Sequence, residues 1–398
     1  MNKKTVNDLR DAEVRGRRAL VRVDFNVPFD DQGHITDDTR IRAALPTIQL
    51  LLQRGARVVL LSHLGRPKGK PDPKYSLRPV EARLAELLPD HKVAFTDATV
   101  GPDAVAATRN TAFDVVLLQN SRYVAGEEAN DDALSRQMAE LGDVYVNDAF
   151  GSAHRAHAST AGIARYLKPA VAGLLMEKEL QYLGAALANP QRPFVAILGG
   201  SKISGKIDVV EALLPKVDAL LIGGAMACTF FKAMGLETGS SLVEDDRVDM
   251  ARDLLERAGT RLILPHDATV APSTDEPGKA HAVKRDAIPA GEAMLDIGPD
   301  TAKSYARGIA TARTVLWNGP MGVFEKPPFD AGTTAVARAM ADVTAKGATT
   351  IVGGGDSAAA VEEAGLSARM SHVSTGGGAS LEFLEGQTLP GVAALDDA

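Results

Sequence analysis

Arginines and histidines recur in this sequence directly after short apolar runs, and their placing suggests a grip on an anion. Asp24-Phe25-Asn26 closes one run, His63-Leu64-Gly65-Arg66 follows a second, Arg122 a third, and Asp148 with His154-Arg155-Ala156-His157 a fourth. Arg40 lies near the start of a helical pattern. The guanidinium fork matches carboxylate and phosphate oxygens two at a time, so Arg40, His63, Arg66, Arg122 and Arg155 arriving on separate loops point to a small ligand with several negative charges. Any one of these arginines alone reads equally well as a solvated surface charge. His154 and His157 have no third ligand at metal-binding spacing and are read as structural or anion-facing.

A second group is built on glycine. Gly199-Gly200-Ser201-Lys202, Gly223-Gly224, Asn318-Gly319-Pro320, Gly353-Gly354-Gly355-Asp356-Ser357 and Gly376-Gly377-Gly378 each follow an apolar run. Glycine permits close approach of the main chain, and a helix starting there turns free N–H groups and a positive dipole end toward phosphate. Asp356 is placed either to hold Mg²⁺ or to cap its helix. Lys202 and Lys206, four apart, share a face if the segment is helical, and two ammonium groups beside glycine loops suit a polyphosphate. Gly200 to Lys206 spells GxxxxGK, but Ile207 stands where a P-loop needs Ser or Thr for its metal. Gly353 to Ala358 fits a dinucleotide GxGxxA, yet the next strand candidate ends at Thr375-Gly376, without an acid for the ribose.

Such loops need a scaffold that ends strands and begins helices along a common edge. In the first half, strand-like runs over 19–27, 57–62, 115–119 and 144–147 alternate with helical patterns over 42–53, 80–88 and 131–141. The second half repeats this with runs over 194–198, 219–222, 262–264, 315–317 and 350–352, and helical patterns over 206–214, 247–258, 301–311, 333–345 and 357–365. The alternation predicts α/β architecture with parallel sheets, and a helical pattern over 172–187 links the halves. With 398 residues, two large cores are expected. The single cysteine, Cys228, excludes an internal disulfide and a Cys-based zinc site. The longest uncharged apolar stretch, 219–231, is too short for a bilayer and no apolar leader opens the chain, so a cytoplasmic protein is expected. A net charge of −7 excludes a protein held to nucleic acid by bulk charge, although the first 170 residues are slightly basic.

The strings VRVDFNVP from Val21, TRIRAALPTI from Thr39, SHLGRP from Ser62, DAFGSAHRAHAST from Asp148, LGGSKISGK from Leu198, LWNGPMGVFE from Leu316, GGGDS from Gly353 and STGGGASLEFLEG from Ser374 resemble, in order and over essentially the full length, the phosphoglycerate kinase family. The resemblance implies two doubly wound, Rossmann-like domains with a hinge cleft between them: 1–170 for the triose, with 389–398 returning to it, a linking helix over 171–188, and 189–388 for the nucleotide. It implies reversible phosphoryl transfer between 1,3-bisphosphoglycerate and ADP, with Mg²⁺ beside ATP or ADP, small-molecule partners only, no nucleic acid, no membrane, and a monomer. The triose positions fall on Asp24, Phe25, Asn26, Arg40, His63, Leu64, Gly65, Arg66, Arg122 and Arg155. The nucleotide positions fall on Lys206, Asn318, Glu325 toward the ribose, and Gly354, Gly355, Asp356 and Ser357, with Asp356 toward the metal. An adenine pocket is implied among Gly199, Gly200, Gly223, Gly224, Pro320 and Val323. Lys202 is the candidate to follow the migrating phosphoryl group, with Arg40 at the acyl-phosphate end and Gly354 and Gly355 neutralising the nucleotide phosphates. Gln119 and Tyr123 stand where the family pattern has Glu and Phe around Arg122, and Ala225 replaces a third glycine. The alternatives are an NAD-dependent Rossmann oxidoreductase, which would bind NAD without needing Mg²⁺, and a nucleotide sensor, which would bind ATP without turnover.

Overall fold

The computed structural model describes residues 2–398. The chain divides into two units, one running to Gln181 and resumed over Thr388–Ala398, the other Tyr182–Gln387. In the first unit β1 (Arg18–Arg22), β2 (Arg57–Leu61), β3 (Val93–Phe95), β4 (Val115–Leu117), β5 (Val144–Asn147) and β6 (Ala170–Ala172) form one sheet in the order β3-β4-β2-β1-β5-β6. Every neighbouring pair is parallel. Parallel strands are covered by helices on both faces, which is why their sequences are apolar runs rather than alternations. β1 is buried at all five positions, with Ala19 in register with Val58 of β2 and Val144 of β5. The helix Thr39–Gln53 adds Ile41, Ala44, Ile48 and Leu51 to that core at three- and four-residue spacing.

The segment Thr388–Ala398 closes the same unit. Gly391 donates its N–H to Ala153 O (2.8 Å) and accepts at its carbonyl from Asn147 Nδ2 (3.2 Å), while Lys4 N–H reaches Asp396 O (2.9 Å). Leu389, Val392 and Leu395 are buried.

In the second unit the strands are β7 (Phe194–Leu198), β8 (Ala219–Ile222), β9 (Leu262–Ile263), β10 (Asp267–Ala271), β11 (His281–Lys284), β12 (Ala293–Ile297), β13 (Thr314–Asn318), β14 (Thr349–Gly353) and β15 (His372–Val373). Six of them make a parallel sheet ordered β15-β14-β13-β7-β8-β9, and the other three an antiparallel sheet ordered β11-β10-β12. In each large sheet the first strand lies where the winding reverses: β1 sits between β2 and β5, and β7 between β8 and β13. Connections diverge at such a point, leaving space for a ligand beyond the carboxyl ends of those strands. Among the described residues no helix is long and apolar enough to cross a membrane.

Three sequence readings are corrected. The first strand stops at Arg22 instead of running to Val27, because the Phe25 N–H goes to the Ser62 hydroxyl (2.8 Å) and the Val27 N–H turns back to Phe25 O (2.9 Å), leaving no ladder to extend. Lys202 and Lys206 do not share a helical face: the helix is Ile207–Leu213, Lys206 caps it, and Lys202 lies in irregular chain ahead of the turn at 204–206. The antiparallel sheet and the three-residue strands β3 and β6 were not anticipated, since Asp267, His281, Lys284 and Asp296 interrupt the former and the latter are too short to stand out from their surroundings.

Candidate active site

The carboxyl end of β1 delivers Arg22, which is only 1% exposed. Its Nε donates to Ser159 Oγ (2.9 Å), Nη1 donates to Val23 O, and Nη2 lies 3.1 Å from His63 Nδ1. His63, two residues beyond β2, is buried as well, with Asp24 Oδ1 at 3.9 Å. Burial, joined by the guanidinium groups of Arg22, Arg122 and Arg40, holds the imidazole well below its ordinary pKa despite Asp24, so the ring is neutral at pH 7. Burial also opposes ionisation of Asp24, but His63, Arg40 and Arg22 outweigh it and keep the carboxyl below its usual range. Arg40, from the first turn of Thr39–Gln53, bonds Asp24 Oδ2 through Nη1 at 2.7 Å.

Amide side chains fix the loops that carry these groups. Asn26 Oδ1 accepts the Gly65 N–H (2.9 Å). The buried Asn120 accepts at Oδ1 from the N–H groups of Leu64 (3.2 Å) and Arg122 (3.0 Å), and donates from Nδ2 to Leu64 O (2.7 Å) and Tyr75 O (2.9 Å). All four bonding directions of this amide are used, so the loops after β2 and β4 form one piece. Arg122 is 5% exposed and donates from Nη1 to Gly65 O at 2.7 Å. Gln119 accepts from the N–H groups of Leu77 (3.1 Å) and Asn120 (2.9 Å) and donates to Ser76 Oγ (3.1 Å); an ionised glutamate could keep the last contact only with the Ser76 hydroxyl as donor. The Tyr123 hydroxyl donates to Asp72 O, a bond that phenylalanine would lack.

Asp24 bonds Arg40 and accepts the Asn26 N–H at Oδ1 (3.3 Å), Asn26 and Arg122 both bond Gly65, and His63 lies beside Asp24, bonded to Arg22. Arg155 is half-buried beside His154 (Nε to Nε2, 3.1 Å), and its charge acts on Arg122 and His157. Arg66 is exposed and makes no hydrogen bond or ion pair, so its fork is available to a ligand. Phe25 and Leu64 bury their side chains in the core and can offer a ligand only main chain. Burial and the neighbouring arginines lower His157 to about 4, and among the described residues no group of three His, Cys, Asp or Glu could hold a metal.

At the carboxyl edge of the second large sheet the glycine loops hydrogen-bond to one another. Gly199 N–H donates to Asn318 O (3.0 Å), Gly200 N–H to Pro320 O (2.9 Å) and Gly224 N–H to Met321 O (2.9 Å). A Cβ on Gly199 would lie 2.1 Å from Pro320 O, so the approach admits glycine alone. Ala225 needs no such freedom: it has helical geometry and caps Met226–Ala233. Gly354, at φ 91°, caps the helix Gly355–Glu363. A Cβ at Gly354 would lie 3.0 Å from Asn318 Nδ2, a buried donor with no hydrogen-bond partner, while Asn318 Oδ1 accepts from Lys206 Nζ. Burial pushes Lys206 down to about 8, against the pull of Asp356 and Glu385. An unused amide donor, a buried ammonium and a helix N-terminus together suit phosphate oxygens. Ser357 is buried and its hydroxyl accepts the Gly319 N–H (2.6 Å), bracing two loops. Lys202, Asp356 and Glu325 are exposed and make no hydrogen bond. Pro320 and Val323 are half-buried, with Val323 N–H on Leu295 O (2.8 Å).

Sequence reasoning missed Arg22 and Asn120. A lone arginine inside the apolar run Ala19–Val23 was the available signal for the first; Asn120 resembles any turn residue.

One sheet edge gathers guanidinium groups, and the other an unused amide donor, a buried ammonium and a helix N-terminus, groups that suit a phosphotransferase. A model of the family described as phosphoglycerate kinase matches residues 9–387. The phosphoglycerate kinases of Chloroflexus aurantiacus and Synechococcus elongatus are 63% and 59% identical to the chain, each over 100% of both sequences. The structure of phosphoglycerate kinase from Coxiella burnetii matches with a TM-score of 0.87 at 44% identity, and that from Pyrococcus horikoshii with 0.85 at 32%, each covering 98% of both chains. The chain belongs to the phosphoglycerate kinase family. Its reaction is reversible phosphoryl transfer between 1,3-bisphosphoglycerate and ADP, giving 3-phosphoglycerate and ATP, a step of glycolysis.

Proposed function

We propose that the two substrates divide between the two units. The triose binds at the carboxyl edge of the β1 sheet, with Arg66, Arg122 and Arg155 on its phosphate and carboxylate oxygens, Asp24 and Asn26 on its hydroxyl, and Arg40 at the end where the acyl phosphate forms. The nucleotide binds at the carboxyl edge of the β7 sheet, with adenine among Gly199, Gly200, Gly223, Gly224, Pro320 and Val323, the ribose at Glu325, and the phosphates at Lys206, Asn318 and the Gly354–Ser357 turn. The observation that carries this division is the unpartnered, buried Nδ2 of Asn318 beside Gly354, a donor that a phosphate oxygen satisfies.

Asp356 is an exposed carboxylate at the start of that helix, with no cluster of further metal ligands around it among the described residues. That fits Mg²⁺ held by nucleotide phosphates and one protein carboxylate, the arrangement this ion favours. When bound, the ion neutralises phosphate charge. The rest of the work falls to side chains that position the reactants: a loose transition state spreads charge over the equatorial oxygens, and Lys202 follows that charge while Arg40 stays with the acceptor carboxylate. Cys228 is buried and unpaired, in keeping with a cytoplasmic enzyme.

Calorimetric titration of Arg66→Ala and Lys206→Met variants with 3-phosphoglycerate and with ADP tests the division. The first variant should lose triose affinity and keep ADP affinity, and the second the reverse. Equal losses of both ligands in either variant would overturn it.

A further inference from the structure

The buried groups behind His63 form a chain whose hydrogen-bond directions are dictated at both ends. Glu127, 1% exposed, accepts the Ser159 N–H at Oε2 (3.0 Å) and the Ser159 hydroxyl at Oε1. That hydroxyl has one proton, spent on the carboxylate, so the Ser159 lone pairs face Arg22 Nε at 2.9 Å. Arg22, anchored there and on Val23 O, turns Nη2 toward His63 Nδ1 at 3.1 Å. A guanidinium has no acceptor. An N–H at Nδ1 would meet another N–H head-on, and the Asp24 oxygen 3.9 Å away is too far to take it. Nδ1 must therefore be bare, and the ring proton lies on Nε2.

We infer that Glu127 and Ser159 are positioning residues for triose binding: by orienting Arg22 they fix His63 as the Nε2–H tautomer, a hydrogen-bond donor to an anionic oxygen of the substrate. The opposite tautomer would present a lone pair to the same oxygen and repel it. This inference rests on the proposed triose site, of which His63 is a member. It adds a reason why a carboxylate lies buried beneath a site for anions: Glu127 never touches the substrate, yet its acceptor-only character sets the polarity of every bond up to the imidazole.

Nitrogen-15 NMR of the full chain labelled at histidine reads the tautomer directly, with His63→Gln giving the assignment. The parent should show a pyridine-type Nδ1 and a pyrrole-type Nε2 at His63. Ser159→Ala should mix the two tautomers and raise KM for 3-phosphoglycerate roughly 3- to 10-fold, the worth of about one net hydrogen bond, with KM for ATP unchanged. Ser159→Thr, which restores the hydroxyl, should recover both readings. A parent His63 protonated at Nδ1, or a Ser159→Ala variant with parental tautomer and parental KM, overturns the inference. His63→Gln separates its failure from that of the site: a parental triose KM in that variant overturns the substrate role of His63, whereas a raised KM with the wrong tautomer overturns only the Glu127–Ser159 relay.

Discussion

Burial keeps the Lys206 ammonium close to losing its proton, at about 8 against an ordinary 10.5. A lysine with a lowered folded pKa destabilises the fold while charged below that value, and the penalty is relieved as pH rises from the folded toward the unfolded pKa. An arriving phosphate reverses the preference, because it rewards the charged form. ADP binding near pH 8.5 should therefore take up protons, seen as a dependence of the calorimetric heat on buffer ionisation enthalpy. Lys206→Arg, charged throughout, should abolish that dependence. Lys202 differs: it is exposed and makes no hydrogen bond, and only its charge acts on nearby Glu244. Lys202→Ala should lower kcat by about 10² to 10³ with little change in nucleotide affinity, as for other groups needed mainly in the transition state. A kcat within a few-fold of the parent would remove Lys202 from that role. At this scale the sequence displayed the groups that face outward, such as Arg66 and Asp356, because charge after an apolar run is conspicuous. It concealed Glu127, Ser159 and Asn120, whose roles depend on partners 32 to 137 residues away.

The helix Leu174–Ala188 shows how a single side chain sets an element boundary. Asp148 Oδ1 accepts from the N–H groups of Leu175 (2.9 Å) and Met176 (3.2 Å), capping the helix from a distant loop, and a Cβ on Gly173 would collide with it at 2.1 Å. Burial nevertheless raises the Asp148 pKa to about 6. A carboxyl with a raised folded pKa binds its proton more tightly in the fold, so its stabilising contribution is full below the ordinary value near 3.8 and is lost as pH climbs through 6. Asp148→Asn keeps the Oδ1 acceptor without the charge. The melting temperature of the parent relative to this variant should thus fall between about pH 4 and pH 6 and level off above that, whereas Asp148→Ala should cost about 1 kcal/mol through loss of the cap. Strands such as Phe194–Leu198 and Ala219–Ile222 were legible to the residue, since long apolar runs bounded by glycine have few other readings. The β10–β12 sheet was not, although its paired residues lie only 11 to 29 apart, because Asp267, His281, Lys284 and Asp296 break up its apolar runs.

Across the whole molecule, the unit that carries the proposed triose site is assembled from two separated stretches of chain. Thr388–Ala398 packs Leu389 and Val392 into it and bonds Ala153, immediately before His154 and Arg155. Leu389→Ala should destabilise by about 2 to 5 kcal/mol, the range for truncating a buried leucine, and weaken 3-phosphoglycerate binding through the Arg155 loop while sparing ADP. Thermal unfolding combined with titration of each ligand checks both halves; an unchanged triose affinity would separate the segment from the site.

That split has a consequence during synthesis. A ribosome makes residues 182–387 before the segment that completes the first unit, so the earlier-made sheet waits, without its last buried leucines and valine, while some two hundred further residues emerge. At about 5 to 20 residues per second the wait is on the order of ten to forty seconds. For that interval the loop around Ala153 lacks its covering segment and its apolar surface is open to chaperones and to neighbouring nascent chains. Acquisition of triose binding should then come later than folding of the contiguous stretch 182–387.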